Sequence, residues 1–132
     1  MKMKKIISIL IIALCGILFI GCGAQKLSSD YNEEDLKASS EKIVNYLVEG
    51  KYEDIINMGS DELKKIATKE QIEEAYMNLS SKLGHYEGIK KIVFQETEDG
   101  VVVAVIAKYE NGKAQFTLGF NKEMNLTAIY MK

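Results

Sequence analysis

Few residues in this 132-residue chain could do chemistry, and they are scattered. His85 is its single histidine, Cys15 and Cys22 are its two cysteines, and Glu73 and Glu74 form an adjacent carboxylate pair inside a helical pattern. A general base needs an orienting acid and a cavity that holds its substrate. His85 follows Gly84 at a helix-to-strand corner, where a solvated loop residue is expected. Glu73 and Glu74 fall on the polar side of their helix and read as solvated surface. The sequence offers no histidine pair and no acidic loop of calcium-site spacing, so no metal is expected. It also lacks a Gly-x-Ser-x-Gly elbow, so an acyl-enzyme hydrolase is not expected. Asn78-Leu79-Ser80 and Asn125-Leu126-Thr127 fit the glycosylation sequon, but the first lies inside a helical pattern and such short matches recur by chance. No catalytic residue, metal or cofactor is expected.

The aromatic residues are the remaining candidates for a site. Tyr46, Tyr76, Phe94, Tyr109, Phe116 and Tyr130 could converge between a sheet and its helices, lining a pocket for a small amphipathic ligand. Aromatics at such spacings also make ordinary core. A sheet face bearing Phe116 and Phe120 could instead be covered by a second copy or by another protein, as a large exposed apolar patch would indicate.

Cys22 stands in a different context. Lys2, Lys4 and Lys5 precede an apolar run from Ile6 to Ile20, followed by Gly21, Cys22 and a polar stretch, the order of an export signal. At helical rise the run covers about 22 Å, short of the roughly 30 Å hydrocarbon core, so cleavage is expected rather than a permanent span. Cysteine directly after a small residue at the end of such a run resembles the lipobox of bacterial lipoproteins. That resemblance implies a thiol carrying diacylglycerol and a mature chain beginning at Cys22. Cys15 is no equal candidate, because bulky Leu14 precedes it and the apolar run continues beyond it. Two acyl chains hold firmly where one holds only reversibly. The expected location is the extracytoplasmic face of the bacterial cell membrane.

Loss of residues 1–21 removes three of the 17 basic residues and leaves 14 against 19 acidic ones, a net charge of −5. That sign excludes nucleic acid as an expected partner. It also leaves the acyl group, rather than headgroup attraction, to hold the membrane. All basic residues are lysine, so the bidentate arginine grip on phosphate or carboxylate is missing. With Cys22 the only cysteine after cleavage, no disulfide supports the fold, and stability rests on the apolar core.

The elements that must position these residues follow from local signals. Residues 1–21 form the signal, residues 22–32 the lipidated cysteine and a flexible tether, and residues 33–132 one domain. A helix begins near Asn32 with Glu33, Glu34 and Asp35 in its first turn. Its stripe runs through Leu36, Ile43, Val44, Leu47 and Val48 to a stop at Gly50. A short helix from about Lys51 closes at Gly59, and a third opens at Ser60. Thr68-Lys69-Glu70-Gln71 is a capping box, followed by a buried face of Ile72, Ala75, Tyr76, Leu79 and Leu83. Four strands follow, over about 89–96, 101–109, 114–121 and 126–131, separated by Asp99-Gly100, Asn111-Gly112 and a polar turn. The second strand, apolar on both faces, is expected at the centre and covered on both. Helices followed by an antiparallel meander predict an α+β domain, with N-terminal helices packed on a curved four-stranded sheet.

The turn LVEGKYEDI, the segment TKEQIEEAYMNLSSKLGHY and the hairpins after it, together covering about residues 36–131, resemble the bacterial domain-of-unknown-function family 3887. The resemblance implies a cone like that of nuclear transport factor 2 and cystatin, with a bent sheet around a long helix. It further implies a lone lipoprotein or an accessory module, since relatives are fused to α/β-hydrolase domains, and it brings no catalytic residue. The expected function is non-enzymatic binding of a small amphipathic ligand or an envelope protein. A small cone-fold enzyme of isomerase or hydrolase type and a structural homodimer are the alternatives.

Overall fold

The structure, a computed structural model, describes residues 27, 28 and 30–132. Cys22, the expected signal and residues 23–26 of the expected tether lie outside the described residues. The docked body begins earlier than Asn32. Leu27 packs against the core and Tyr31 is buried in it, while the Ser28 backbone N–H and hydroxyl donate to the Glu96 carboxylate at 2.9 and 3.0 Å. The C-terminal part of the expected tether is thus held against the domain, because it carries two apolar side chains that the core accepts.

Helix α1 spans Glu33–Glu49. The Asn32 side chain accepts from the Asp35 N–H at 3.1 Å, and the first-turn acids lie against the positive end of the helix dipole. At its other end Gly50 has φ 77°, and the Gly50 and Lys51 amides donate to the Leu47 and Tyr46 carbonyls, a Schellman closure. Leu36, Ser40, Ile43, Val44 and Leu47 are buried. Val48, expected in that stripe, is 38% exposed in the last turn, although Val44 one turn earlier on the same face is fully buried.

Helices α2 (Tyr52–Asn57) and α3 (Asp61–Ile66) are single short pieces. Gly59, expected only as a helix stop, lies in a parallel bridge opposite Leu126. The Leu126 N–H donates to the Met58 carbonyl at 2.9 Å and the Ser60 N–H to the Leu126 carbonyl at 2.8 Å. Helix α4 (Lys69–Leu83) opens on the expected reciprocal box, with Gln71 N–H donating to Thr68 Oγ1 and Thr68 N–H to Gln71 Oε1. Of its expected buried face only Ile72 and Tyr76 are buried, Leu79 and Leu83 are half-buried, and Ala75 is exposed.

The sheet comprises β1 (Tyr86–Glu96), β2 (Gly100–Tyr109), β3 (Gly112–Asn121) and β4 (Leu126–Met131), antiparallel throughout in the order β1-β2-β3-β4. The β1–β2 turn is closed by Thr97, whose N–H donates to the Gly100 carbonyl and whose Oγ1 accepts from the Gly100 N–H. Glycine is required there, because a Cβ would collide with the Phe120 carbonyl oxygen.

One sheet face packs on the helices. It presents Val101, Val103, Val105, Ala107 and Tyr109 from β2 and Ala114, Phe116, Leu118 and Phe120 from β3, all buried with the helical residues in one core. Among the described residues no second layer covers β2 as expected. On its other face Val102, Ala104 and Ile106 lie outside the helix-facing core. Their shelter comes sideways: Val93 and Thr117 flank Ala104, Lys91 and Gln115 flank Ile106, and Gln95 and Gly119 flank Val102. An α+β fold with helices on one face is the result, consistent with the expected cone.

Candidate functional site

The six aromatics do not line one cavity. Phe94, Tyr76, Tyr109 and Phe116 are buried core, Tyr46 on α1 is half-buried against it, and Tyr130 is 42% exposed. Parity separates Tyr130 from the rest: it pairs with Thr117 on the face away from the helices, whereas Phe116 and Leu118 point toward them. The interior is filled by aromatic packing, with Tyr76 stacked on Phe116 at 6.4 Å between ring centroids and Tyr86 edge-on to Tyr109 at 5.4 Å.

The Tyr76 and Tyr109 hydroxyls share a buried hydrogen bond of 2.7 Å, which satisfies both phenols without water. Replacing Tyr76 by phenylalanine strands the Tyr109 hydroxyl and costs about 1–3 kcal/mol of stability. Tyr76→Phe with Tyr109→Phe leaves neither group unpaired, so urea unfolding of the double variant shows a smaller loss than the two single losses added.

The same burial governs titration. Desolvation raises the Tyr76 and Tyr109 pKa values above the ordinary tyrosine value of 10.0; the shared bond opposes that rise at Tyr76 and adds to it at Tyr109. Burial also raises Tyr86, followed in effect by the neighbouring Tyr76. An acid whose folded pKa lies above its unfolded value favours the folded state while neutral. Stability from these groups is therefore full below about pH 10 and is lost as pH climbs beyond it. In an absorbance titration at alkaline pH, Tyr76 and Tyr109 ionise only together with the loss of near-ultraviolet dichroism.

His85 is exposed, and its backbone N–H donates to Glu110 Oε1 at 3.4 Å. Glu73 and Glu74 are exposed on α4, and Glu73 borders a polar hollow with Tyr52, Lys51, Glu53, Asp54 and Lys69. Burial, then Glu73, raises the Tyr52 pKa. Among the described residues there is no group of three or more histidines, cysteines, aspartates or glutamates placed to hold a metal, and no helix long and apolar enough to cross a membrane.

A groove of about 360 Å³ at the side of the sheet is the site that the elements build. Its walls are Leu63, Ile66 and Ala67 at the end of α3, Gln71, Ile72 and Ala75 on α4, and every residue of β4 from Thr127 to Met131. Successive strand residues point to opposite faces, so a groove lined by five in a row runs along the strand's edge. Ile66 is 71% exposed at its rim, the most exposed large apolar side chain among the described residues. Tyr130, alone of the six aromatics singled out from sequence, lines this groove. Sequence reasoning did not single out Ile66, Ile72 or Ile129 as site residues. For Ile129 the available signal was the uncharged stretch LTAIYM in the last strand of a meander, which has to be an edge; nothing local marked Ile66 or Ile72.

A family model described as "Protein of unknown function (DUF3887)" matches residues 40–129. No curated protein matches the chain. Among solved structures, an NMR structure of a protein from Ruminococcus gnavus is similar over 81% of this chain and 96% of its own, with a TM-score of 0.65 at 19% identity. At that identity the likeness is one of fold.

Proposed function

The chain belongs to the DUF3887 family, and on that premise we propose that it is a lipid-anchored extracytoplasmic accessory domain that binds another envelope protein and carries out no reaction of its own. The observation that carries this reading is the apolar groove along β4, with Ile66 exposed at its rim in a domain whose interior is already packed. A side chain of that kind held in water is disfavoured by about 25 cal/mol per Å² of apolar surface, which a covering partner removes. The small-ligand reading loses ground because Tyr109 and Phe116, central to its expected pocket, are closed in by their neighbours. The enzyme alternative required His85 or a carboxylate facing a pocket; His85 stands exposed at its corner, and Glu53, Asp54 and Glu73, which border the polar hollow, are exposed to water rather than held inside it.

A photo-crosslinking residue placed at position 66 in cells of the source organism tests the binding role, with position 48 as the exposed apolar control. The expected result is a discrete protein adduct from position 66 and none from position 48. Native mass spectrometry of the same purified protein checks the competing reading. A retained small molecule with no protein adduct would replace this function by ligand binding.

A further inference from the structure

The two outer strands of the sheet are treated differently by the sequence. β1 carries Glu87, Lys90 and Lys91 and has two register irregularities, the usual defences of an exposed edge. β4, LTAIYM, has no charge and no proline, and its one irregularity falls at its start. Its backbone polarity can be assigned from the ladder. Gln115 and Lys132 exchange two bonds, at 2.8 and 3.1 Å, so the alternation of an antiparallel pair makes Thr117–Tyr130 and Gly119–Ala128 the next bonded pairs. Ile129 and Met131 therefore turn their amides and carbonyls outward, along the floor of the groove.

We infer that the β4 edge from Thr127 to Met131 takes an extended segment of a partner protein as a fifth strand, with alternate apolar side chains of that segment seated against Ile66, Ala67 and Ile72. This rests on the binding role proposed above and specifies its surface and chemistry. Leu126 already makes the first rung of such a strand, exchanging bonds with Met58 and Ser60, and the incoming segment continues that pairing along the same edge. Backbone donors and acceptors beside an apolar wall are complementary to an extended peptide, whose own backbone must find partners when desolvated. A second copy fits less well. Joining two β4 edges antiparallel sets both copies' helices on one face of the combined sheet, so the strand that pairs with each edge brings its own α3 and α4 against the groove, where an extended segment brings none.

The test uses the full chain in phosphatidylcholine nanodiscs and a phage-displayed library of random ten-residue peptides. Enriched peptides are expected to alternate apolar and polar residues, and to slow amide exchange at Ile129 and Met131 at least tenfold when bound. Met131→Pro, which removes an outward amide hydrogen and none that β3 uses, weakens them at least tenfold. Ile66→Glu, at an exposed position that leaves the fold intact, does the same, whereas Val48→Glu has no effect. Failure to enrich any peptide overturns the proposal, as do peptides that leave both edge amides unprotected or bind the Ile66→Glu variant equally well. A photo-crosslinker at position 131 that yields only a product of twice the chain's mass assigns the edge to a second copy and also overturns it. An envelope-protein adduct at position 66 without edge protection defeats this inference and leaves the broader binding role standing.

Discussion

Replacing Phe116 by alanine lowers the unfolding free energy by about 3–5 kcal/mol. The side chain is fully buried midway along β3, opposite Val105 of β2 and Met131 of β4, with Tyr76 of α4 stacked over it. Truncation removes its transfer energy and leaves a cavity between the sheet and the long helix that neither rigid element can close. The ring also supports Tyr76, whose hydroxyl ties the helix to β2, so the Tyr76–Tyr109 bond is disturbed with it. Against a total of about 5–15 kcal/mol for such a domain, the loss takes a large share of all stability. Thr117→Ala provides the comparison, because Thr117 lies one residue along on the face away from the helices. Urea unfolding should place the Phe116 variant's midpoint far below the wild type and the Thr117 variant's close to it. Equal midpoints would mean that the core does not lie on this face of the sheet.

What the sequence made legible were features whose physics is local. Asn32 with three acids behind it, the Thr68–Gln71 box and the left-handed Gly50 each depend on residues within one helical turn, and each lies where local chemistry puts it. In β3 the residues Ala114, Phe116, Leu118 and Phe120 share one face, which the sequence left open between core and a surface covered by a partner, and which the helices in fact cover. The features that escaped depend on contacts between distant segments. Apolar residues on both faces of β2 suggested a double cover, but side chains of β1 and β3 can shelter Ala104 and Ile106 laterally without any second layer. The aromatic set offered no signal to separate pocket from packing, because ring spacing fixes which face a residue occupies and not whether the space before it is filled. The groove was hidden for the same reason. It requires α3 and α4, residues 61–83, to stand beside β4, residues 126–131, and the clamp that aligns them is the pairing of Leu126 with Met58 and Ser60.

Exchanging Cys22 for serine moves the protein out of the membrane fraction, or leaves an uncleaved precursor there with a correspondingly larger mass. The Cys22 thiol follows Gly21 at the end of an apolar run, and an alcohol in that place cannot form the thioether that holds a diacylglycerol. Each acyl chain contributes about 0.8 kcal/mol per buried methylene, so losing two chains at once removes the lipid's hold entirely, and only an uncleaved apolar run could keep the variant on the membrane. No helix among the described residues can take over the task by spanning the bilayer. The fold is expected to be indifferent to the change, because the docked body begins at Leu27 and Ser28, five residues beyond the anchor. Fractionation and intact mass would separate the two accepted outcomes, and circular dichroism would report an unaltered melting curve. Wild-type partitioning combined with wild-type mass in the serine variant would remove the lipid. The β4 groove would then have to meet its partner by diffusion, at the partner's solution affinity alone. With the anchor in place, a weak edge-strand contact suffices, since confinement to one surface raises the effective concentration of both proteins.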